Sequence, residues 1–245
     1  MKAIILASGS GSRLLPLTGK VPKSLLKVNS KTILDIEIGS LVECGIRDII
    51  VTTGYHADKM EKHIKSRYQE INITLIENEK YDTTNNIYSM WLTKDFVDDD
   101  LVLLHGDTVF EQGLLQRLIM SEFPNAVLVN SGMDAPGKDF KAEVAGNTVK
   151  RIGVGLNSEK AHFCAPIYKL TASGFRKWTN QIKLFIEEGN VTCYAEDAFN
   201  EVADDISMGP VYYGDELCME IDTLDDLEKA REYYKNRPHI RGVGD

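Results

Sequence analysis

Paired cysteines are missing from this sequence. Cys44, Cys164, Cys193 and Cys218 lie far apart and form no Cys-x-x-Cys, which leaves zinc-ribbon and thiol-redox motifs without support. Isolated cysteines of this kind pack as small apolar residues. Positive charge is also in short supply. Lys and Arg number 28 against 37 Asp and Glu, a formal net charge of −9. A surface for nucleic acid or anionic membrane needs a basic stripe, which this balance argues against. Long apolar runs are absent too: none approaches the roughly 20 residues of a membrane span. The apolar stretch Ala3–Ala7 is too short for a signal peptide. His56, His63, His105 and His162 show no metal-ligand spacing and read as ordinary packed or exposed histidines. A cytoplasmic, soluble protein is expected, with no nucleic-acid or membrane partner.

What is present is enough apolar residue for one large core: 43% hydrophobic over 245 residues. The first half alternates. Strands are expected at "AIILA", "DIIVTTG", "INITLIEN" and "DLVLLHGD", and helices at "TILDIEIGSLVECG", "HADKMEKHIKSRYQE" and "NNIYSMWLTKDF". Such alternation predicts an α/β fold, a mostly parallel mixed sheet with helices on both faces. Ligands then bind beyond the carboxyl ends of the strands, which picks out the loop after "AIILA" and Gly106-Asp107. After about residue 130 the pattern changes to a loop at "SGMDAPGKDF", a hairpin turning at Gly146-Asn147 and a strand at "AHFCAPIYKL". Helices at "TASGFRKWTNQIKLFIEEG" and "EDAFNEVADD" follow, then strands at "PVYYG" and "LCMEID" and a closing helix at "TLDDLEKAREYYKN". A single unit over 1–245 is expected, its second half (about 131–245) a smaller α+β part folded against the first (about 1–130).

The first strand runs into Ser8-Gly9-Ser10-Gly11-Ser12, followed by Arg13, Lys20, Lys23 and Lys27. A glycine-rich turn after a strand lets backbone N–H groups approach phosphate oxygens. It is not a Walker A loop, because no Lys-Ser or Lys-Thr follows at the required spacing. Nor is it a dinucleotide fingerprint: Leu14 stands where the third glycine belongs.

The longer string "LASGSGSRLLPLTGKVPKSLLKV" resembles the signature of the nucleotidyltransferases, which join a nucleoside triphosphate to a phosphorylated small molecule. Leu6, Ala7, Gly9, Gly11, Arg13, Leu14, Pro16, Leu17, Thr18, Pro22, Lys23 and Leu25 carry the match. The resemblance extends to Gly106-Asp107 and to Glu220-Ile221-Asp222. It implies a Rossmann-like sheet, a Mg2+ ion and release of pyrophosphate. Arg13, Lys23 and Asp107 are the expected catalytic residues. Nucleotide binding falls to Leu6, Ala7, Ser8, Gly9, Gly11, Ser12, Arg13, Lys23, Asn85, Asn86, Gly106 and Asp107. Chemically, Arg13 offers a forked cation to departing phosphates and Lys23 a point charge near the α-phosphate or the acceptor phosphate. Magnesium takes oxygen ligands and keeps waters, so one or two carboxylates suffice. Asp107 is the first expected ligand and Asp222 the second, with Glu220 next. A rival role exists for Asp222, because Thr223–Asp226 resembles a capping box.

"EKYDTTNNIYSMWLTKDF" resembles a segment of the small-acceptor cytidylyltransferases, implying CTP as donor and a phosphorylated or phosphonate acceptor. Phosphocholine, phosphoethanolamine, phosphoglutamine and aminoalkylphosphonates all remain open, as does a homodimer. In the acceptor half, Phe163 and Tyr194 could face a quaternary ammonium; Glu196 and Asp197 could meet a primary one. Two other readings stay open: a sugar-1-phosphate nucleotidyltransferase using UTP, dTTP or GTP, and a nucleotide-binding relative without catalysis. Retention of Arg13, Lys23, Asp107 and Asp222 argues against the last.

Overall fold

β1 (Lys2–Leu6) is apolar throughout its centre because both of its faces are covered; Ala3, Ile4 and Ile5 have no exposed surface. The computed structural model describes residues 1–133 and 137–235. Residues 134–136, within the expected loop, and Asn236, the expected end of the last helix, lie outside the described residues. After β1 come short 3-10 turns at Ser12–Leu14, Leu17–Gly19 and Lys23–Leu25, then a small hairpin of β2 (Lys27–Val28) and β3 (Lys31–Thr32). α1 (Ile33–Glu43), β4 (Asp48–Thr53), α2 (Ala57–Arg67), β5 (Asn72–Glu77), α3 (Asn86–Leu92) and β6 (Leu101–His105) follow the expected alternation. β7 (Thr108–Phe110), α4 (Gln112–Met120) and β8 (Asn125–Asn130) complete the first half.

The second half opens with the hairpin of β9 (Phe140–Ala145) and β10 (Thr148–Val154), turning at Gly146 as expected. β11 (Ala161–Leu170) and α5 (Ala172–Glu187) also fall where the sequence places them. The single helix expected next is two, α6 (Ala195–Glu201) and α7 (Ala203–Ile206); Val202, at φ −125° and ψ 15°, leaves the helical range between them. β12 (Met208–Tyr212), β13 (Cys218–Glu220) and α8 (Leu224–Lys235) end the described chain.

Among the described residues the main sheet has nine strands. β5, β4, β1 and β6 lie side by side and parallel. Antiparallel β11 then joins β6 to β8 and β9, and β12 extends the sheet in parallel on β8. Leu6 is paired with His105, so the chain leaves β1 and β6 at neighbouring points. β13 stays out of this sheet. It pairs antiparallel with β7, setting Glu220 opposite Thr108, and Ile221 N–H donates to the Asp107 carbonyl at 2.8 Å. That short ladder carries Glu220 and Asp222 to the exit of β6.

Apolar residues fill both faces of the sheet, and a third cluster of Leu14, Leu26, Ile33, Ile221 and Leu227 sits beneath the first loop. Trp178 of α5 is wholly buried between Tyr168 and Phe199, and its indole N–H donates to the Ala195 carbonyl at 2.7 Å. Trp178→Ala is expected to lower stability by about 3–5 kcal/mol, read as a shifted denaturant midpoint with an unchanged slope. All four cysteines are free. No helix among the described residues is long and apolar enough to cross a membrane.

Candidate active site

The loop after β1 turns at Gly11, whose φ of +62° is left-handed. A Cβ there would stand 2.9 Å from the Lys23 Cβ and 3.1 Å from the Thr18 methyl, so both conformation and packing call for glycine. Thr18 Oγ1 donates to the Gly11 carbonyl at 2.9 Å. Leu14 is completely buried in the third cluster and pins the loop to α1 and α8. No long helix opens behind the glycines; three short turns hold Arg13 and Lys23 over the strand ends instead. Across from them, a Cβ on Gly106 would lie 2.7 Å from that of Ala7, so the two exits are in direct backbone contact.

Cations and carboxylates interleave here. Lys23 Nζ donates to Asp107 Oδ2 at 2.6 Å and to Asp222 Oδ1 at 2.7 Å. Arg13 Nη1 pairs with Asp222 Oδ2 at 3.0 Å, while its side chain stays 61% exposed. Burial works against the Lys23 charge, but Asp107 and Asp222 outweigh it and hold the ammonium pKa above its usual value. Burial likewise opposes ionisation of Asp107, and Lys23 and His105 reverse this, leaving its carboxyl below the usual range. Asp107 Oδ1 is buried without a hydrogen-bond partner among the described residues. Glu220 is pushed up to about 8 by burial and by the neighbouring Asp107 charge. A ring nitrogen of His105 and one carboxylate oxygen each of Asp107 and Glu220 lie within 4.8 Å of one another. This cluster can accommodate a divalent metal ion. The capping box at the start of α8 is formed by Thr223 and Asp226, which leaves the Asp222 carboxylate to the cations.

A second network lies deeper. Glu196, 1% exposed, accepts from Tyr168 O–H at 2.8 Å and pairs with His105 Nε2 at 3.2 Å. Burial would favour the neutral imidazole, but Glu196 overrides it and lifts the His105 pKa to about 9. Asn86 Nδ2 stands 3.2 Å from that same nitrogen and 3.3 Å from Glu196 Oε2, and Asn86 Oδ1 accepts from Ala195 N–H.

Arg13, Lys23, Asn86, His105, Asp107, Glu220 and Asp222 border one cavity of about 480 Å³. Its charged end holds the Ser8–Arg13 loop, Lys23, Asp107, Glu220 and Asp222. A neutral polar end is built from a chain of hydrogen bonds: Ser8 Oγ donates to Thr52 Oγ1, Ser89 Oγ to Ser8 Oγ, and the Asn78 amide to both Ser89 Oγ and Thr84 Oγ1, each at 3.0–3.1 Å. The third wall carries Phe140 and Tyr194, edge to face with centroids 5.0 Å apart. Leu6, Ala7, Ser8, Gly9, Gly11, Ser12, Arg13, Lys23, Asn85, Asn86, Gly106, Asp107, Glu220 and Asp222 all line it, as does Tyr194.

Other expected groups are already engaged or sit elsewhere. Asn85 Oδ1 accepts from Asn86 N–H at the start of α3, and its amide donates to the Thr192 carbonyl. Phe163 is 2% exposed and belongs to the core, because it shares a strand face with Ala165 and Ile167. Asp197 accepts from Tyr194 N–H in the capping box of α6 and does not line the cavity. The Glu196 carboxylate is occupied by His105 and Tyr168. Asn78, Ser89 and Phe140 are wall residues that no sequence motif marks, and His105, expected as an ordinary packed or exposed histidine, is a wall residue as well. His105 alone carried a positional signal, since it immediately precedes Gly106-Asp107 at a strand end.

The sequence model of the Nucleotidyl transferase family matches residues 2–129, just over half of the chain. The chain belongs to this family. Among nucleotidyltransferases it is similar to the choline-phosphate cytidylyltransferase of Streptococcus pneumoniae, 29% identical over 248 residues covering 96% of this chain and 99% of that protein. It is 36% identical to the CTP:phosphoglutamine cytidylyltransferase of Campylobacter jejuni over 136 residues, 53% of each chain. The solved structure of the Streptococcus pneumoniae CTP:phosphocholine cytidylyltransferase superposes with a TM-score of 0.77 at 25% identity, covering 95% of this chain and 98% of that one. The family resemblance drawn from Leu6 to Leu25, and its small-acceptor cytidylyltransferase branch, therefore hold.

Proposed function

We propose that the protein transfers a cytidylyl group from CTP to a small phosphorylated or phosphonate acceptor bearing a nitrogen cation, with release of pyrophosphate. The observation that carries this reading is the convergence of Arg13, Lys23, Asp107, Glu220 and Asp222 on one cavity, in a chain matched along nearly its whole length by a choline-phosphate cytidylyltransferase. An acceptor phosphoryl or phosphonyl oxygen attacks the α-phosphorus, the new P–O bond forms in line, and the bond to pyrophosphate breaks. Positioning and charge neutralisation supply most of the rate. Arg13, more than half exposed at the loop tip, is free to swing onto the departing phosphates. Lys23 holds its charge between the two aspartates and delivers it to the α-phosphate once substrates enter. The neutral wall of Ser8, Asn78, Thr84 and Ser89 suits the base and ribose, because hydroxyls and an amide can both donate and accept.

The partnerless Asp107 Oδ1 and the adjoining Glu220 carboxyl fit a hard divalent cation. Mg2+ held there would neutralise triphosphate charge. The acceptor's cation is assigned to the faces of Tyr194 and Phe140, since the Glu196 carboxylate is already taken. Tyr194→Leu is expected to raise the acceptor's Michaelis constant by about tenfold, the value of a partly desolvated cation–π contact, with the CTP constant unchanged. An unchanged acceptor constant rejects the assignment.

The reaction itself is tested by pyrophosphate release, screening four nucleoside triphosphates against phosphorylated amines, amino acid amides, aminoalkylphosphonates and sugar 1-phosphates. CTP with a nitrogen-bearing acceptor is expected. Turnover of UTP or dTTP with a sugar phosphate alone would replace this reading by the sugar-nucleotide one.

A further inference from the structure

We propose that His105 is a metal ligand in this chain, completing with Asp107 and Glu220 a nitrogen-containing centre that binds Mn2+ more tightly than Mg2+. The inference rests on the divalent-ion part of the reading above and adds a ligand to it.

The ring is placed for this. His105 is 8% exposed, its surface opens onto the cavity, and one ring nitrogen shares the 4.8 Å cluster with Asp107 and Glu220 oxygens. Nε2 pairs with Glu196 and stands 3.2 Å from Asn86 Nδ2, whereas Nδ1 has no hydrogen bond among the described residues; a metal ion bound at Nδ1 displaces the proton there. The rings of Phe140, at 5.7 Å, and Tyr168, at 6.4 Å, limit how the imidazole can turn. Metal-bound histidines nearly always have a carboxylate behind the second nitrogen, which fixes tautomer and orientation and makes the ligating nitrogen more basic. Glu196 occupies that place, and it is itself held by Tyr168 O–H. A buried Glu–His–cavity arrangement of this kind is what a ligand histidine requires.

The remaining acidic groups divide the same way. Both oxygens of Asp222 are spoken for, one by Lys23 and one by Arg13. Asp107 Oδ1 is buried and unpartnered, and the Glu220 carboxylate makes no hydrogen bond among the described residues. Among the described residues, the donor atoms left without internal partners are thus His105 Nδ1, Asp107 Oδ1 and the Glu220 carboxylate oxygens, a mixed donor set. Magnesium favours oxygen donors throughout and gains little from an imidazole nitrogen, whereas Mn2+, the first of the divalent transition-metal series, takes carboxylate oxygen and also accepts an imidazole nitrogen. Three protein ligands still leave a six-coordinate ion room for water and phosphate oxygens.

Binding can be read without turnover. Mn2+ is titrated into the metal-free protein in the absence of nucleotide, free Mn2+ is followed by electron paramagnetic resonance, and pulsed spectra are searched for coupling to an imidazole 14N. The expected result is a bound Mn2+ with nitrogen coupling and an affinity at least about tenfold above that for Mg2+ in competition. His105→Gln should abolish the coupling and weaken Mn2+ at least about tenfold. Glu196→Gln should keep the coupling and weaken Mn2+ by about 10–100-fold, as loss of an outer partner does. Bound Mn2+ without nitrogen coupling in the unsubstituted protein overturns the assignment of His105 and leaves the divalent-ion reading standing. No binding at millimolar Mn2+ overturns both. The decisive spectrum is that of the unsubstituted protein, so a variant that fails to fold does not blunt the test.

Discussion

Lys23→Ala is expected to lower the rate of pyrophosphate release by about 10² to 10³, the range lost when a preorganised donor to transition-state charge is removed. The lysine is only 13% exposed and ties Asp107 to Asp222, so the substitution has a second consequence. Two neighbouring carboxylates lose their shared counter-charge, and breaking a buried pair in this way costs about 3–5 kcal/mol. The Lys23→Ala protein should therefore melt earlier in the absence of divalent ions and recover much of that loss when they are added, because a metal can replace the missing cation. Lys23→Arg separates the two effects. A guanidinium can pair with the aspartates, but it spreads its charge over a rigid fork and does not reproduce a compact ammonium. Stability near that of the unsubstituted protein with turnover still depressed is the expected outcome. Near-normal pyrophosphate release from folded Lys23→Ala would remove this lysine from the chemistry.

The elements that position the site were legible where periodicity was strong. β1, β4 and β6 are short apolar runs between turn residues, and α1 carries Ile33, Ile36 and Leu41 at helical spacing. α4 and β8 lack such a signal. α4 has no side-chain cap at Glu111 and contains Gly113 in its first turn, so its start lacks the usual signal. β8, "NAVLVN", is an apolar run too short to tell strand from helix by pattern. The pairing of β13 with β7 was also hidden. It joins residues more than a hundred positions apart by backbone hydrogen bonds that side-chain pattern does not encode.

The site divides in a similar way. Arg13, Lys23, Asp107, Glu220 and Asp222 belong to short motifs, and the fold gathers them on one cavity. His105 carries no motif. Its significance comes from Glu196, Asn86 and Tyr168, which three other elements bring to it. Phe163 could have been set aside from strand parity alone, since Ala165 and Ile167 mark its face as core. Glu196 and Asp197 look alike in sequence, at the start of one helix. Folded, the first is a buried partner of His105 and the second a cap, because successive residues on a helix point about 100° apart.

Asp107→Asn and Asp222→Asn are expected to separate metal binding from phosphate handling. Asp107 has a buried oxygen, Oδ1, without a hydrogen-bond partner among the described residues, and one of its carboxylate oxygens belongs to the cluster with His105 and Glu220. Converting it to an amide keeps the shape and removes the charge that holds a hard cation. Divalent-ion affinity should fall by at least about 10–100-fold, the loss seen even for outer partners of a metal. Turnover should become undetectable at metal concentrations that saturate the unsubstituted enzyme. Asp222 spends its oxygens on Lys23 and Arg13 instead. In Asp222→Asn the amide nitrogen faces a cation in either orientation, so both basic side chains lose a fixed position. Metal affinity should then change by less than about threefold, while the Michaelis constant for CTP rises and turnover drops, because the positively charged groups are no longer preorganised. Isothermal titration with Mn2+, paired with steady-state constants for each variant, reads both halves. Equal loss of metal affinity in the two variants would make Asp222 a ligand and return the metal to the Asp107–Asp222 pair expected from the sequence. A loss confined to Asp107→Asn places the ion on the other side of Asp107, against Glu220 and His105.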